Sequence, residues 1–254
     1  MAKIFTIINN KGGTGKTTTT VNLGAALALE GKKCLLIDLD SQCNLSTSLG
    51  ITDAEIHAGH LLLSVNKPME CVMPTNHENL FVVPSSVNLL DYETKINNEP
   101  GREYLLKENL QNVENNFEYI FIDCPPSLGT LSINALVASR YFIVPMQAEN
   151  FAFIGLDKIL DITAKVKNRM NPSLELGGIL FVRQSLKTKF SMAVISSISE
   201  NEKLSGKMLQ TIIRQDISLM EASAFSQTVF EYAPKSRGAA DYKDLATELT
   251  RLYG

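Results

Sequence analysis

Between positions 11 and 18 the chain reads Lys11-Gly12-Gly13-Thr14-Gly15-Lys16-Thr17-Thr18, directly after an apolar stretch at 4–8. Glycines here leave open backbone angles that a Cβ would close, so successive N–H groups can turn inward around an anion. Lys16 supplies a positive charge to β- and γ-phosphates, and the Thr17 hydroxyl suits Mg²⁺. A helix that opens at Lys16 points the positive end of its dipole at the same anion. The common phosphate-loop pattern, G-x-x-x-x-G-K-[ST], has its first glycine at position 10, where this chain has Asn10. The loop also carries a second lysine, Lys11, five residues before Lys16. Three glycines, two lysines and a threonine pair between a strand and a helix imply binding of a nucleoside triphosphate.

Two acidic segments fit the same chemistry. Asp38 and Asp40 are two residues apart at the end of the apolar stretch 33–39, a spacing that lets both carboxylates face one cleft if the extended geometry persists. Asp123 follows the apolar Tyr119-Ile120-Phe121-Ile122 and precedes Cys124-Pro125-Pro126-Ser127-Leu128-Gly129. Carboxylates beside a triphosphate make sense through Mg²⁺, a lysine or an attacking water, and the proline-glycine loop suits a segment that senses the γ-phosphate.

These residues need a rigid frame. Strands are expected at 4–8, 33–39, 80–83, 119–123, 141–144 and 176–182, with weaker ones at 210–213 and 228–230. Several are continuous apolar runs, as parallel strands covered on both faces require. Helical patterns fall at 16–30, 102–115, 154–170, 192–202 and 238–252. The alternation implies an α/β, doubly wound, mostly parallel sheet with helices on both faces, of the P-loop NTPase type, with ligands at the carboxyl ends of the strands. Residues 1–254 are expected to form a single domain, with no helix-turn-helix domain before the phosphate loop.

Composition narrows the class further. Hydrophobic residues at 44% and charged residues at 20% describe a globular chain, and a net charge of −3 argues against a uniformly basic polyanion binder. No apolar run approaches the roughly 18 residues of a membrane span, so a cytoplasmic location is expected. Cys34, Cys43, Cys71 and Cys124 show no C-x-x-C spacing, and Cys34 and Cys124 are expected to pack as small hydrophobes. His57 and His60 are one helical turn apart but lack further ligands, so a solvated helix face is expected, with no protein-bound transition metal.

The motifs together resemble the small ParA/Soj-type partition ATPases, in the deviant Walker A group that includes MinD. The matching stretches are 11–18, 38–44, 123–129, Pro145-Met146-Gln147-Ala148-Glu149 and 232–239, spread over nearly the whole chain. The resemblance implies ATP and Mg²⁺ as cofactors, and a homodimer that sandwiches ATP, with Lys11 reaching across to the partner's phosphates. It implies that Asp40 orients the attacking water, that Asp123 with Thr17 holds the magnesium shell, and that Asp38 supports magnesium or Lys11. Adenine is expected against the segment that contains Arg214 and Asp216; Asp216 stands where many members have Asn, and a carboxylate accepts but does not donate hydrogen bonds.

The resemblance further implies non-specific double-stranded DNA binding by the dimer and association with the nucleoid when ATP-bound. A ParB-like DNA-binding partner is expected to stimulate hydrolysis. Arg183, Lys187 and Lys189 are the expected DNA contacts; Lys187 stands at one family arginine, and the uncharged Ser218 at another. Other readings of the same motifs are a MinD-like membrane-cycling regulator, a nucleotide-gated device that positions a protein cargo, and a metallocluster reductase. The chain ends Thr250-Arg251-Leu252-Tyr253-Gly254 without a basic amphipathic tail, and the cysteines lack cluster spacing, which disfavour the first and the last.

Overall fold

The computed structural model describes residues 1–148, 152–184, 196, 198, 200, 204 and 206–254. The chain begins with β1 (Lys3–Ile7), α1 (Lys16–Leu29), β2 (Cys34–Asp38), α2 (Asn44–Ser48) and α3 (Ala58–Leu62). It continues through β3 (Met73–Pro74), β4 (Leu80–Val83), α4 (Leu89–Ile96), α5 (Leu105–Leu110), β5 (Tyr119–Asp123) and α6 (Thr130–Ala138). Then come β6 (Tyr141–Met146), α7 (Ala152–Arg169), β7 (Glu175–Gln184), β8 (Ile213–Arg214), α8 (Ile217–Ala224), α9 (Val229–Tyr232) and α10 (Arg237–Tyr253).

The strands form one sheet in the order β3-β4-β2-β5-β1-β6-β7-β8, parallel except for the short edge strand β3. Its centre is buried on both faces. Leu35 and Ile37 of β2 join one apolar cluster, while Cys34 and Leu36 join the other, so the pleat sends alternate side chains to opposite layers. The register pairs Asp38 with Asp123 across β2 and β5, and Ile7 with Asp123 across β1 and β5. Both carboxylates and the start of the phosphate loop therefore emerge side by side at the carboxyl edge.

Two helices brace this edge. Helix α1 is buried along most of its length, which explains its run of small and apolar residues after Lys16. Helix α10 lays Ala239, Tyr242, Leu245, Ala246 and Leu249 against the layer that contains α1, at helical spacing. Glu248 of α10 accepts from the N–H groups of Gln210 (2.7 Å) and Thr211 (2.9 Å), which fixes the approach to β8.

Several local expectations need correction. Residues 228–230 open a helix rather than form a strand: Thr228 caps α9 reciprocally with Glu231. The long helix expected at 102–115 is reduced to α5 and a 3₁₀ turn, Glu114–Asn116. Its asparagines bond locally to backbone, Asn109 to the Leu105 carbonyl and Asn116 to that of Val113, which competes with helix continuation. The weak strand at 210–213 becomes the two-residue β8. His57 is buried, not solvated; its ring packs edge-on to His60 and Tyr92. Burial lowers the His57 pKa to about 4. The helix expected at 192–202 falls mostly outside the described residues. Cys34 and Cys124 are buried and reduced.

Candidate nucleotide site

The loop between β1 and α1 is held by its own polar residues. Asn9 donates to the Pro145 carbonyl (2.7 Å) and accepts from the Lys11 N–H (3.0 Å), tying the loop to β6. Gly13 and Gly15 adopt φ of 72° and 80°, the left-handed region that permits the tight turn into α1. Gly12 does not use that region. Lys16 is only 7% exposed, and its Nζ donates to the Lys11 carbonyl (3.3 Å) across the loop. Gln147 closes the outer side by donating to the Gly13 carbonyl (3.0 Å). Lys11 itself stands exposed at the rim.

Thr17 Oγ1 donates to Asp123 Oδ2 at 2.6 Å, while Asp123 Oδ1 is buried with no hydrogen-bond partner among the described residues. Burial, then the neighbouring Asp38 charge, hold the Asp123 carboxyl well above the usual range. A buried carboxylate oxygen without a partner is costly unless a cation or donor arrives. Thr17 and Asp123 thus present hydroxyl and carboxylate oxygens, the hard donors that magnesium takes.

Asp38 is fully buried, and its carboxylate accepts from the Ser46 N–H (3.0 Å), the Ser46 hydroxyl (2.7 Å) and the Asp40 N–H (3.1 Å). It therefore anchors the segment that carries Asp40. Burial raises its pKa to about 6. Asp40 Oδ1 accepts from the Gln42 N–H (3.0 Å). Asp40 and Lys16 line one cleft of about 820 Å³ together with Gly12, Thr17, Asn44 and Pro126.

A second pocket, about 530 Å³, opens on the other side of Gly15 and Thr18, between β8 and α10. Ile213, Leu219, Met220 and Tyr242 give it the apolar lining that a base takes. Arg214 frames it but is committed to Asp241, with Nη2 at 2.6 Å and Nε at 3.0 Å from Oδ1. Asp216 is committed too. It accepts from the Ser218 N–H at the start of α8 (3.0 Å) and from the Gly238 N–H in α10 (2.8 Å). Burial pushes its carboxyl up, and these donors more than offset that, leaving it below the ordinary value. Ser218 thus contributes a backbone donor to this cap.

Arg183 lines both pockets, whereas Lys187 and Lys189 lie outside the described residues. Asn9, Ser46, Gln147 and Asp241 were not singled out from sequence. Asn9 and Gln147 do lie within or beside the matching motifs; Ser46 and Asp241 become visible only once β2 and α10 are placed.

Comparison with known proteins agrees with this geometry. A family model described as an AAA domain matches residues 2–176. The sporulation initiation inhibitor protein Soj of Bacillus subtilis is 39% identical over 251 residues, covering 98% of each chain. The chromosome-partitioning ATPase Soj of Treponema pallidum is 37% identical, covering 100% of this chain and 99% of the relative. Among solved structures, cobyrinic acid a,c-diamide synthase from Mycobacterium smegmatis, with bound ADP and magnesium, superposes with a TM-score of 0.87 at 31% identity, covering 100% of this chain and 96% of that one. With its phosphate loop, paired carboxylates and end-to-end likeness to these relatives, the chain belongs to the ParA/Soj-type partition ATPases of the ParA/MinD superfamily.

Proposed function

We propose that this chain is an ATP-hydrolysing partition switch whose ATP-bound homodimer binds DNA without sequence preference and is reset when a ParB-like partner stimulates hydrolysis. The observation that carries this reading is the Thr17–Asp123 bond with the unpartnered Asp123 Oδ1 beside the phosphate loop, a site prepared for a magnesium nucleotide. The solved relative with ADP and magnesium supports the same ligands here. Bound magnesium supplies positive charge against the phosphate oxygens.

The chain's own residues do the rest. Lys16 and the loop N–H groups hold the phosphates, and Thr17 and Asp123 present oxygens to the metal shell. Asp38 fixes the backbone that carries Asp40, and Gln42 holds one Asp40 oxygen, so the carboxylate is oriented to hold a water against the γ-phosphorus. That water's oxygen forms the new P–O bond as the bond to the departing ADP breaks. Lys11, exposed at the rim and outside the usual cradle, reaches the nucleotide of a second copy. The stretch with Lys187 and Lys189 supplies phosphate contacts to DNA, doubled on dimerisation.

Sizing chromatography with ATP and magnesium tests the scheme. Asp40→Ala should bind ATP, stop hydrolysing it and remain dimeric. An Asp40→Ala protein that carries ATP yet stays monomeric contradicts the scheme.

A further inference from the structure

Arg183 is the last residue but one of β7, the sheet's last long strand, and stands where the base pocket and the phosphate cleft meet. Val182, just before it, packs with Cγ2 only 3.4 Å from where a Cβ on Gly15 would stand, which brings Arg183 against the phosphate loop. Three residues line both pockets: Gly15, Thr18 and Arg183. Of these, Arg183 alone carries charge. Its side chain is exposed and has no ion pair or hydrogen bond among the described residues, unlike Arg214, which is committed to Asp241. It also holds a left-handed φ of 53°, which costs a non-glycine residue energy.

A nucleoside triphosphate with its base in one pocket and its β- and γ-phosphates in the other must pass its α-phosphate over this shared wall. We infer that Arg183 is a nucleotide-positioning residue, its guanidinium pairing with the α-phosphate where base pocket and phosphate cleft join. A planar fork of donors matches phosphate oxygens, and a charge-assisted pair in a half-enclosed cleft is stronger than one on an open surface. Arg183 is thereby separated from Lys187 and Lys189, with which the sequence groups it, and serves the nucleotide instead of DNA. The inference rests on the nucleotide reading of the site, and the experiment keeps the two apart.

Calorimetric titration with magnesium-ADP, and competition by AMP and by adenosine, is run on the wild type, Arg183→Gly and Arg183→Lys. Glycine suits the left-handed backbone, so Arg183→Gly removes the guanidinium without straining the fold, and its thermal midpoint should equal or exceed that of wild type. The expected result is about tenfold weaker ADP and AMP binding by Arg183→Gly, partial recovery in Arg183→Lys and unchanged adenosine competition. For ATP turnover, KM should rise with kcat retained. Wild-type ADP affinity in Arg183→Gly, or a loss that lysine does not recover, overturns the inference while leaving the nucleotide reading intact. A folded wild type that binds no ADP overturns both.

Discussion

Replacing Asp123 by Asn is expected to stabilise the nucleotide-free fold at neutral pH while abolishing its response to magnesium. Asp123 is fully buried, with Oδ2 on Thr17 and Oδ1 without a partner. Asp38, its neighbour in register, shows the scale: burial pushes its pKa from 3.8 to about 6. Between those values the folded chain keeps a proton that the unfolded chain has released. This stabilising contribution is full below 3.8, falls as the pH rises through about 6 and is absent above it. The difference corresponds to roughly 3 kcal/mol for Asp38. Asp123 is displaced in the same direction.

Asn at 123 removes the buried charge and keeps an acceptor for Thr17, but its amide needs a new partner, at a cost of about 1–3 kcal/mol. The net gain near pH 7.5 is at most about 2 kcal/mol, or up to about 8 °C in midpoint for a chain of this length, shrinking toward pH 5. Thermal unfolding by circular dichroism from about pH 5 to about pH 8, without and then with magnesium-ADP, reads both effects. A variant less stable than wild type at neutral pH, with the wild-type pH profile, refutes the reasoning.

Three further perturbations separate the parts of the site. Lys11→Ala should fold and bind ADP but fail to dimerise with ATP and magnesium, which sedimentation against protein concentration detects. Asp216→Ala frees the Ser218 and Gly238 N–H groups and should cost about 1–3 kcal/mol of stability in denaturant titration, with weaker nucleotide binding. Lys187→Glu should remove most DNA binding in an anisotropy titration while ATP-dependent dimerisation stays as in wild type.

What the sequence made legible was the chemistry that sits next to itself in the chain. Lys11 to Thr18, Asp38 with Asp40, and Asp123 each lie at the end of an apolar run, so strand alternation alone places them at one edge. Contacts that depend on distant elements were not legible: Ser46 on Asp38, Asp241 on Arg214, and Glu248 holding the approach to β8 are visible only after packing. Short elements failed for a related reason. Residues 228–230 look strand-like by residue type, yet the Thr228–Glu231 cap decides for helix. Asn-rich chain around α5 has helical spacing but local side-chain bonds that break it. His57 was misread because the Tyr92 ring that helps bury it comes from another helix.

In the proposed scheme a nucleotide gates a dimer that binds DNA. With a net charge of −3, one subunit has little global attraction for a polyanion, so the proposed scheme requires local basic patches to be doubled on dimerisation. The most direct measurement is anisotropy titration of random duplex DNA by the wild type with magnesium-ATP and with magnesium-ADP, across a series of salt concentrations. Binding should appear with ATP, be lost with ADP and weaken steeply with salt. Equal affinity in the two nucleotide states would contradict the account.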